Sequence, residues 1–275
     1  MKLAEIRNAY IQEGMSYLNA TSRTAQDVVL ALIADSPLSQ NVTIKGGVVM
    51  QHLSGDDRRA TRDLDFDFIK YPIGNDAIRS FIEKLNGHSG DLSIEITTPI
   101  EELKQRDYSG KRVYIRITDT AGTVIDTKLD IGVHKHLNME QQDFCFDLGK
   151  LDDSVTLLAN TMEQIFAEKL KSLLRLGAIS SRYKDLFDMY YLATQEKLDK
   201  DKLTEDLKTL VYDDTTMREN DFDAIISRLD VVLHDPRFLM PLGRSKTTNW
   251  IGVAPETATR GLLDYLKTFA QTRVP

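Results

Sequence analysis

The stretch KGGVVMQHLSGDDRRATRDLD, Lys45 to Asp65, and its downstream companion TKLDIGV at residues 127–133 decide how this chain folds. Alternation is clearest just past Asp63, where Asp63, Asp65 and Asp67 interleave with Leu64, Phe66 and Phe68. Alternate residues of a strand share a face at ~6.5–7 Å spacing, so the acids line one side and the apolar residues anchor the other. The same parity places Asp126, Lys128, Asp130, Gly132 and His134 on one face of a strand over residues 123–134. Acids gathered this way repel one another unless a cation stands between them. A hard divalent cation, magnesium or manganese, takes a few carboxylate oxygens and completes its shell with water and substrate phosphates. Asp63, Asp65 and Asp130 are the candidate metal ligands, with Asp67 and Asp126 left open as contributors. A lone Asp-x-Asp is more often a row of solvated acids on an outward sheet face, and it is the glycine pair upstream that shifts the reading toward a metal.

Upstream, Gly46 and Gly47 follow the short run Val42 to Ile44. A glycine pair there lets the backbone approach a phosphate and turns successive N–H groups toward it, with Val48 to Leu53 ready to open a helix; a plain turn is the competing reading. Arg58, Arg59 and Arg62 beside the acids either neutralise them or hold triphosphate oxygens in forked geometry.

Further period-2 runs surround this core, at Leu92, Ile94 and Ile96 and at Val113, Ile115 and Ile117. The last of these faces Ile125, Leu129, Ile131 and Val133 across a turn-rich connection, which predicts an antiparallel hairpin. Residues 1–34 carry helical periodicity, and helical stretches return at 161–176, 182–195, 201–211, 221–234 and 256–270. The period changes near residue 150, so the expected organisation is a core at 1–150 and an α-helical region at 151–275 that completes the active cleft. The fold class is α/β of the α+β type, a mixed sheet covered by helices. With 275 residues and 41% apolar content, the chain has ample material for a core. It shows no apolar run long enough to span a membrane and no signal pattern, which predicts a cytosolic protein. A single cysteine, Cys145, excludes an internal disulfide and a thiolate zinc site. A net charge of −7 argues against a general nucleic-acid coat and leaves room for one local basic patch.

The runs Lys45-Gly46-Gly47, Arg59 to Phe66, Lys128 to Ile131, Ala167 to Leu170 and Arg182 to Met189 occur in that order. Together they resemble the nucleotidyltransferase superfamily and, within it, the AbiEii/AbiGii abortive-infection toxin family. The resemblance covers about residues 40 to 195, with Asn249-Trp250 and a final helix fitting more loosely. It implies that Gly46 and Gly47 form the nucleotide turn and that Asp63 and Asp65 are the metal-binding pair. It likewise implies roles for Lys169, in the family's Glu-Lys-Leu helix, and for Asp185, in its Arg-x-Lys-Asp motif. Lys45, Arg59 and Thr61 fall inside the matched runs and join the nucleotide-binding set. Gly47 stands where many relatives carry a hydroxyl residue, so any phosphate contact there comes from backbone N–H.

Lys169 also stands out on its own helix, because it falls inside the apolar stripe of Ile165, Phe166, Leu170, Leu173 and Leu174. It either snorkels along its stem or meets an anion, such as a triphosphate or the carboxylate cluster. Asp185 lies off its stripe and reads as an exposed acid. Asp188 and Lys184, one turn apart, read as a surface pair. His134 and His136 share a strand face but lack a third nitrogen ligand, and read as solvent-facing.

The expected activity is magnesium-dependent transfer of a nucleoside monophosphate from an NTP, with Asp130 serving as ligand or base and Gly46, Gly47, Arg59 and Lys169 on the triphosphate. The resemblance implies a toxin neutralised by an AbiEi-like antitoxin encoded nearby, with the acceptor end of tRNA modified by some relatives. Lys169, Lys171, Arg175, Arg182 and Lys184 form a basic set suited to an RNA backbone. A small-molecule nucleotidyltransferase and a non-catalytic nucleotide-binding interaction protein are the alternative readings.

Overall fold

In the computed structural model, residues 2–105, 108–151, 153–196, 198–244 and 248–271 are described. They divide into two compact units, Met1–Asn160 and Thr161–Pro275.

The first unit is built on a mixed sheet of eight strands, in the order β3-β5-β6-β2-β1-β8-β7 with β4 paired to β5. Its strands are β1 (Val42–Ile44), β2 (Leu64–Phe68), β3 (Leu92–Ile96), β4 (Glu101–Gln105), β5 (Tyr108–Asp119), β6 (Val124–Val133), β7 (Gln141–Leu148) and β8 (Asp153–Asn160). The expected hairpin is present as β5 and β6, in antiparallel register from Lys111↔Ile131 to Thr118↔Val124. Two pairs are parallel, β2 with β6 and β1 with β8. Phe66 and Phe68 are fully buried and pack on Phe81, with ring centroids 5.7 and 5.0 Å away. Each such buried side chain contributes ~1.5–3 kcal/mol, which fixes the register of β2 and turns its acids to the other face.

Among the described residues, the sheet is accompanied by α1 (Leu3–Gln12), α2 (Tyr17–Asp35), α3 (Gly46–Ser54) and α4 (Asn75–Gly87). The helical segment expected over 1–34 is two helices, because Gly14 takes φ +103° and Ser16 then caps α2 by accepting the Asn19 N–H. Gly46 and Gly47 are not a separate turn. They are the first two residues of α3, and neither takes a left-handed conformation. The helix stops at Gly55, at φ +59°. α4 buries Ile78, Phe81, Ile82 and Leu85, a 3-4-7 stripe that the surrounding period-2 runs conceal in the sequence. The sheet continues past residue 150, since β8 pairs with β1 through Ile44↔Ala159 and with β7 throughout its length.

The second unit is helical, with α5 (Met162–Leu176), α6 (Tyr183–Thr194), α7 (Lys200–Leu207), α8 (Phe222–Leu233), α9 (Pro236–Arg244) and α10 (Pro255–Gln271). Capping explains several starts: Thr161, Asp199 and Asp221 each accept a backbone N–H from the first turn of α5, α7 and α8. A π-helical turn at Lys208–Tyr212 extends α7 across most of the predicted stretch. α9 lies outside the predicted stretches; Pro236 opens it at a position where the missing N–H costs nothing. Among the described residues, no helix is long and apolar enough to cross a membrane.

Candidate active site

Asp65 and Asp130 are register partners across the parallel pair of β2 and β6. Asp63 immediately precedes β2, on the parity of Asp65. Each neighbour of Asp65 has its own cation. Lys128 Nζ lies 3.0 Å from Asp63 Oδ1. Arg112, on β5 opposite Asp130, donates from Nε at 2.7 Å and from Nη2 at 2.6 Å to the two Asp130 oxygens. This fork pushes the Arg112 guanidinium further above its ordinary range.

Asp65 is left differently placed. Among the described residues, none forms a hydrogen bond or ion pair to its carboxylate, and its pKa is pushed up to about 6. Burial is the main cause, followed by the charges of Asp130 and Asp63, with Lys45 and Lys128 opposing. The two acids left open by the sequence are both occupied. Asp67 is buried and ion-paired to Lys45 at 3.2 Å, whereas Asp126 is exposed and paired to Arg116 at 2.8 Å.

Among the described residues, no three His, Cys, Asp or Glu side chains are grouped as a ready-made metal cage. The chemistry of the donors nevertheless fits a hard divalent cation. Asp65 and its two acid neighbours offer only oxygen ligands, and the Asp65 carboxylate is the one whose charge the protein has not met. Lys128 and Arg112 hold the places of counter-ions beside it.

Around these acids the nucleotide-binding candidates take several roles. The Lys45 backbone N–H donates to the Asp65 carbonyl at 3.0 Å, tying the start of α3 to the acid strand. Gly47 faces Thr61 closely enough that an added Cβ would lie 3.4 Å from its Oγ1. Arg59 is buried at 3% exposure. Arg58 pairs with Asp56, and Arg62 reaches Asn19. Those two arginines therefore leave the acid row to Lys128 and Arg112. Lys128 shares strand parity with Asp130, so the sequence carried a signal for it. Arg112 lies on another strand, and only the β5–β6 register brings it to Asp130.

In the second unit, Lys169 meets an anion, and that anion belongs to the chain itself. Its Nζ lies 2.7 Å from Asp185 Oδ1 and 2.8 Å from Asp188 Oδ2. Asp185 is therefore not the exposed acid that its helix stripe suggests. Asp188 is fully buried rather than a surface partner for Lys184, and it also accepts the Trp250 indole N–H at 3.0 Å. The side chain at 250 lies 62 positions away, too far for any local pattern to reveal the contact. The basic set read as an RNA footprint is also engaged internally, for Lys171 and Arg175 both reach Asp214, at 2.5 and 3.4 Å. His134 is buried beside Gln141 rather than solvent-facing.

A mixed sheet with acids gathered on its neighbouring strands β2 and β6, beside a helix opened by a glycine pair, is the fold shared with nucleotidyltransferase-type structures. A family model described as "Nucleotidyl transferase AbiEii toxin, Type IV TA system" matches residues 28–246, and the chain belongs to this family of nucleotidyltransferase toxins. Among solved structures it is similar to JHP933 from Helicobacter pylori, at 17% identity and TM-score 0.51 over 94% of each chain. A second H. pylori structure, provisionally named as a nucleotidyltransferase, is 16% identical with TM-score 0.52, over 94% of this chain and 97% of that one. At this identity the two structures bear on the fold. No curated protein matches the chain.

Proposed function

We propose that this enzyme transfers a nucleoside monophosphate from an NTP to an RNA acceptor of the tRNA class, with magnesium, and that an AbiEi-like antitoxin neutralises it in a phage-defence setting. The observation that carries the reading is Asp65 itself, a carboxylate set opposite Asp130, next to Asp63, and short of a cationic partner.

Asp63, Asp65 and Asp130 would hold the cation, which when bound supplies charge to polarise phosphate oxygens. The chain's own groups supply the rest. Gly46 and Gly47 begin α3, so their N–H groups belong to a first helical turn that lacks intrahelical acceptors and suits phosphate oxygens. Lys128 and Arg112 are placed to exchange a carboxylate for a phosphate once the acid row is otherwise neutralised. Within the second unit, Asp185 and Asp188 hold the Lys169 ammonium in place.

One observation favours a second acceptor class. Lys169, Lys171 and Arg175 are ion-paired to acids, which leaves less cationic surface for an RNA backbone than the sequence suggests and keeps a small-molecule acceptor in view. The test is incubation of the purified chain with each α-labelled NTP, magnesium and total RNA, beside Asp65→Ala. Label on tRNA-sized bands with the unsubstituted chain alone supports the RNA reading. Pyrophosphate release without labelled RNA replaces it with the small-molecule reading, and absence of both refutes transfer from an NTP.

A further inference from the structure

The segment from Ala60 to Asp63 joins a 3-10 turn at Asp57–Arg59 to β2 and has no ladder partner of its own. Backbone polar groups in such a segment need other partners if they are not to be left unsatisfied. Two glutamines supply them. Gln51, on α3 four residues beyond Gly47, accepts the Thr61 N–H on its side-chain oxygen at 3.2 Å. Gln26, on α2, donates from its side-chain nitrogen to the Thr61 carbonyl at 3.0 Å and to the Asp63 carbonyl at 3.3 Å.

Both side chains are almost fully buried, at 5% exposure for Gln51 and 1% for Gln26. Apolar residues at these positions would avoid the desolvation cost of an amide, so the polar choice needs a reason. The cost is visible at Gln26, whose buried side-chain oxygen has no partner among the described residues. Its nitrogen faces two acceptors, so the amide cannot turn round to relieve that oxygen without losing both bonds.

We propose that Gln26 and Gln51 are positioning residues, one a donor and the other an acceptor, that clamp Thr61 to Asp63 and thereby set Asp63 and Asp65 against the first turn of α3. The clamp acts through backbone groups only and touches no reacting atom. Gln51 ties the segment to the helix that begins with the glycine pair, and Gln26 ties it to α2. The contact between Gly47 and Thr61 is the same clamp seen from the glycine side. A displacement of ~1 Å at a metal-binding acid costs on the order of a hundredfold in rate, so this tether belongs to the working parts of the site. In its consequence for the acids the inference rests on the nucleotidyltransferase reading above.

The test uses the full chain with Gln51→Leu, Gln51→Glu, Gln26→Met and Gln26→Glu. Two readouts are taken, hydrogen exchange at the Thr61 amide and Mn2+ binding followed by electron paramagnetic resonance. Gln51→Leu should speed Thr61 exchange and weaken Mn2+ binding, each by about tenfold, the scale of one buried hydrogen bond. Gln51→Glu keeps an acceptor and should leave Thr61 protected. Gln26→Glu removes the donor when ionised and should behave like Gln26→Met, regaining Mn2+ affinity as its carboxyl is protonated relative to Gln26→Met at the same pH. General loosening of the core would treat the two glutamate variants alike. Equal behaviour of that pair at a pH where the carboxyl introduced at position 26 is ionised, or unchanged Thr61 exchange in Gln51→Leu, overturns the clamp. Should the unsubstituted chain bind neither Mn2+ nor Mn2+ with NTP, the metal-dependent reading fails, and Thr61 exchange still decides the clamp. If Gln26→Met does not fold, the Gln51 pair decides it alone.

Discussion

Replacing Asp65 with Asn should make the metal-free protein more stable while abolishing transfer. In the folded chain the Asp65 pKa is pushed up to about 6 from 3.8, so the folded state binds its proton more tightly than the unfolded chain does. The sign follows: this group favours folding at low pH, and that contribution is lost as pH rises through about 6. A shift of about two units corresponds to about 3 kcal/mol at ~1.36 kcal/mol per unit, which is the cost of holding the ionised form at pH 8 without a cation. Between pH 5 and pH 8 the group surrenders about 1.4 kcal/mol of this, the remainder being lost below pH 5. Asparagine imitates the protonated form at every pH. Asp65→Asn should therefore exceed the unsubstituted chain by about 3 kcal/mol at pH 8 in a chelator, and by about 1.4 kcal/mol less at pH 5. Urea denaturation followed by circular dichroism measures both, and comparison at each pH cancels the titration of other groups. Saturating Mg2+ should raise only the unsubstituted chain, by mass action. A variant no more stable at pH 8, or a gap that ignores pH and Mg2+, refutes the account of Asp65 as the acid awaiting a cation.

Three further outcomes follow from the packing. Asp188→Asn should cost about 3 kcal/mol by denaturation, because it removes a fully buried carboxylate from the half-buried Lys169, and a loss under 0.5 kcal/mol would show the pair to be dispensable. Gly261→Ala should lower the melting temperature although alanine is the better helix former, since its Cβ would stand 2.5 Å from Tyr190 Cε2; an unchanged or higher value would place Tyr190 elsewhere. His52, whose pKa burial lowers to about 4, accepts an Arg23 N–H on Nε2 and donates to the Val48 carbonyl. Its folded form resists protonation, so stability should fall as pH drops from about 6.5 toward 4, and His52→Asn should flatten that fall in the same denaturation series.

What the sequence determined is what local periodicity and local chemistry can express. The alternation through Asp63 to Phe68 and through Asp126 to His134 requires strands with acids on one face, whatever surrounds them. The stripe of α5 likewise fixes a helix and sets Lys169 on its inward side, because an i, i+3, i+4 pattern admits no other face. Period alone was less informative where two periods meet: α4 lies between strands and is only 13 residues long, so neighbouring alternation masks it.

Tertiary structure decided which charges meet. Strand parity puts Asp65 and Asp130 on corresponding faces, but the parallel register of β2 and β6 makes them partners, and the β5 register delivers Arg112. Asp188 illustrates the same limit, since its burial depends on Trp250 arriving from far along the chain. Gln26 and Gln51 look like ordinary polar residues on helices until the fold brings Thr61 and Asp63 against them. Electrostatic energy depends on distance in space and on burial. Neither is a property of neighbouring positions in a sequence, so the acids and Lys128 could be read from the chain while Arg112, Trp250 and the two glutamine supports could not.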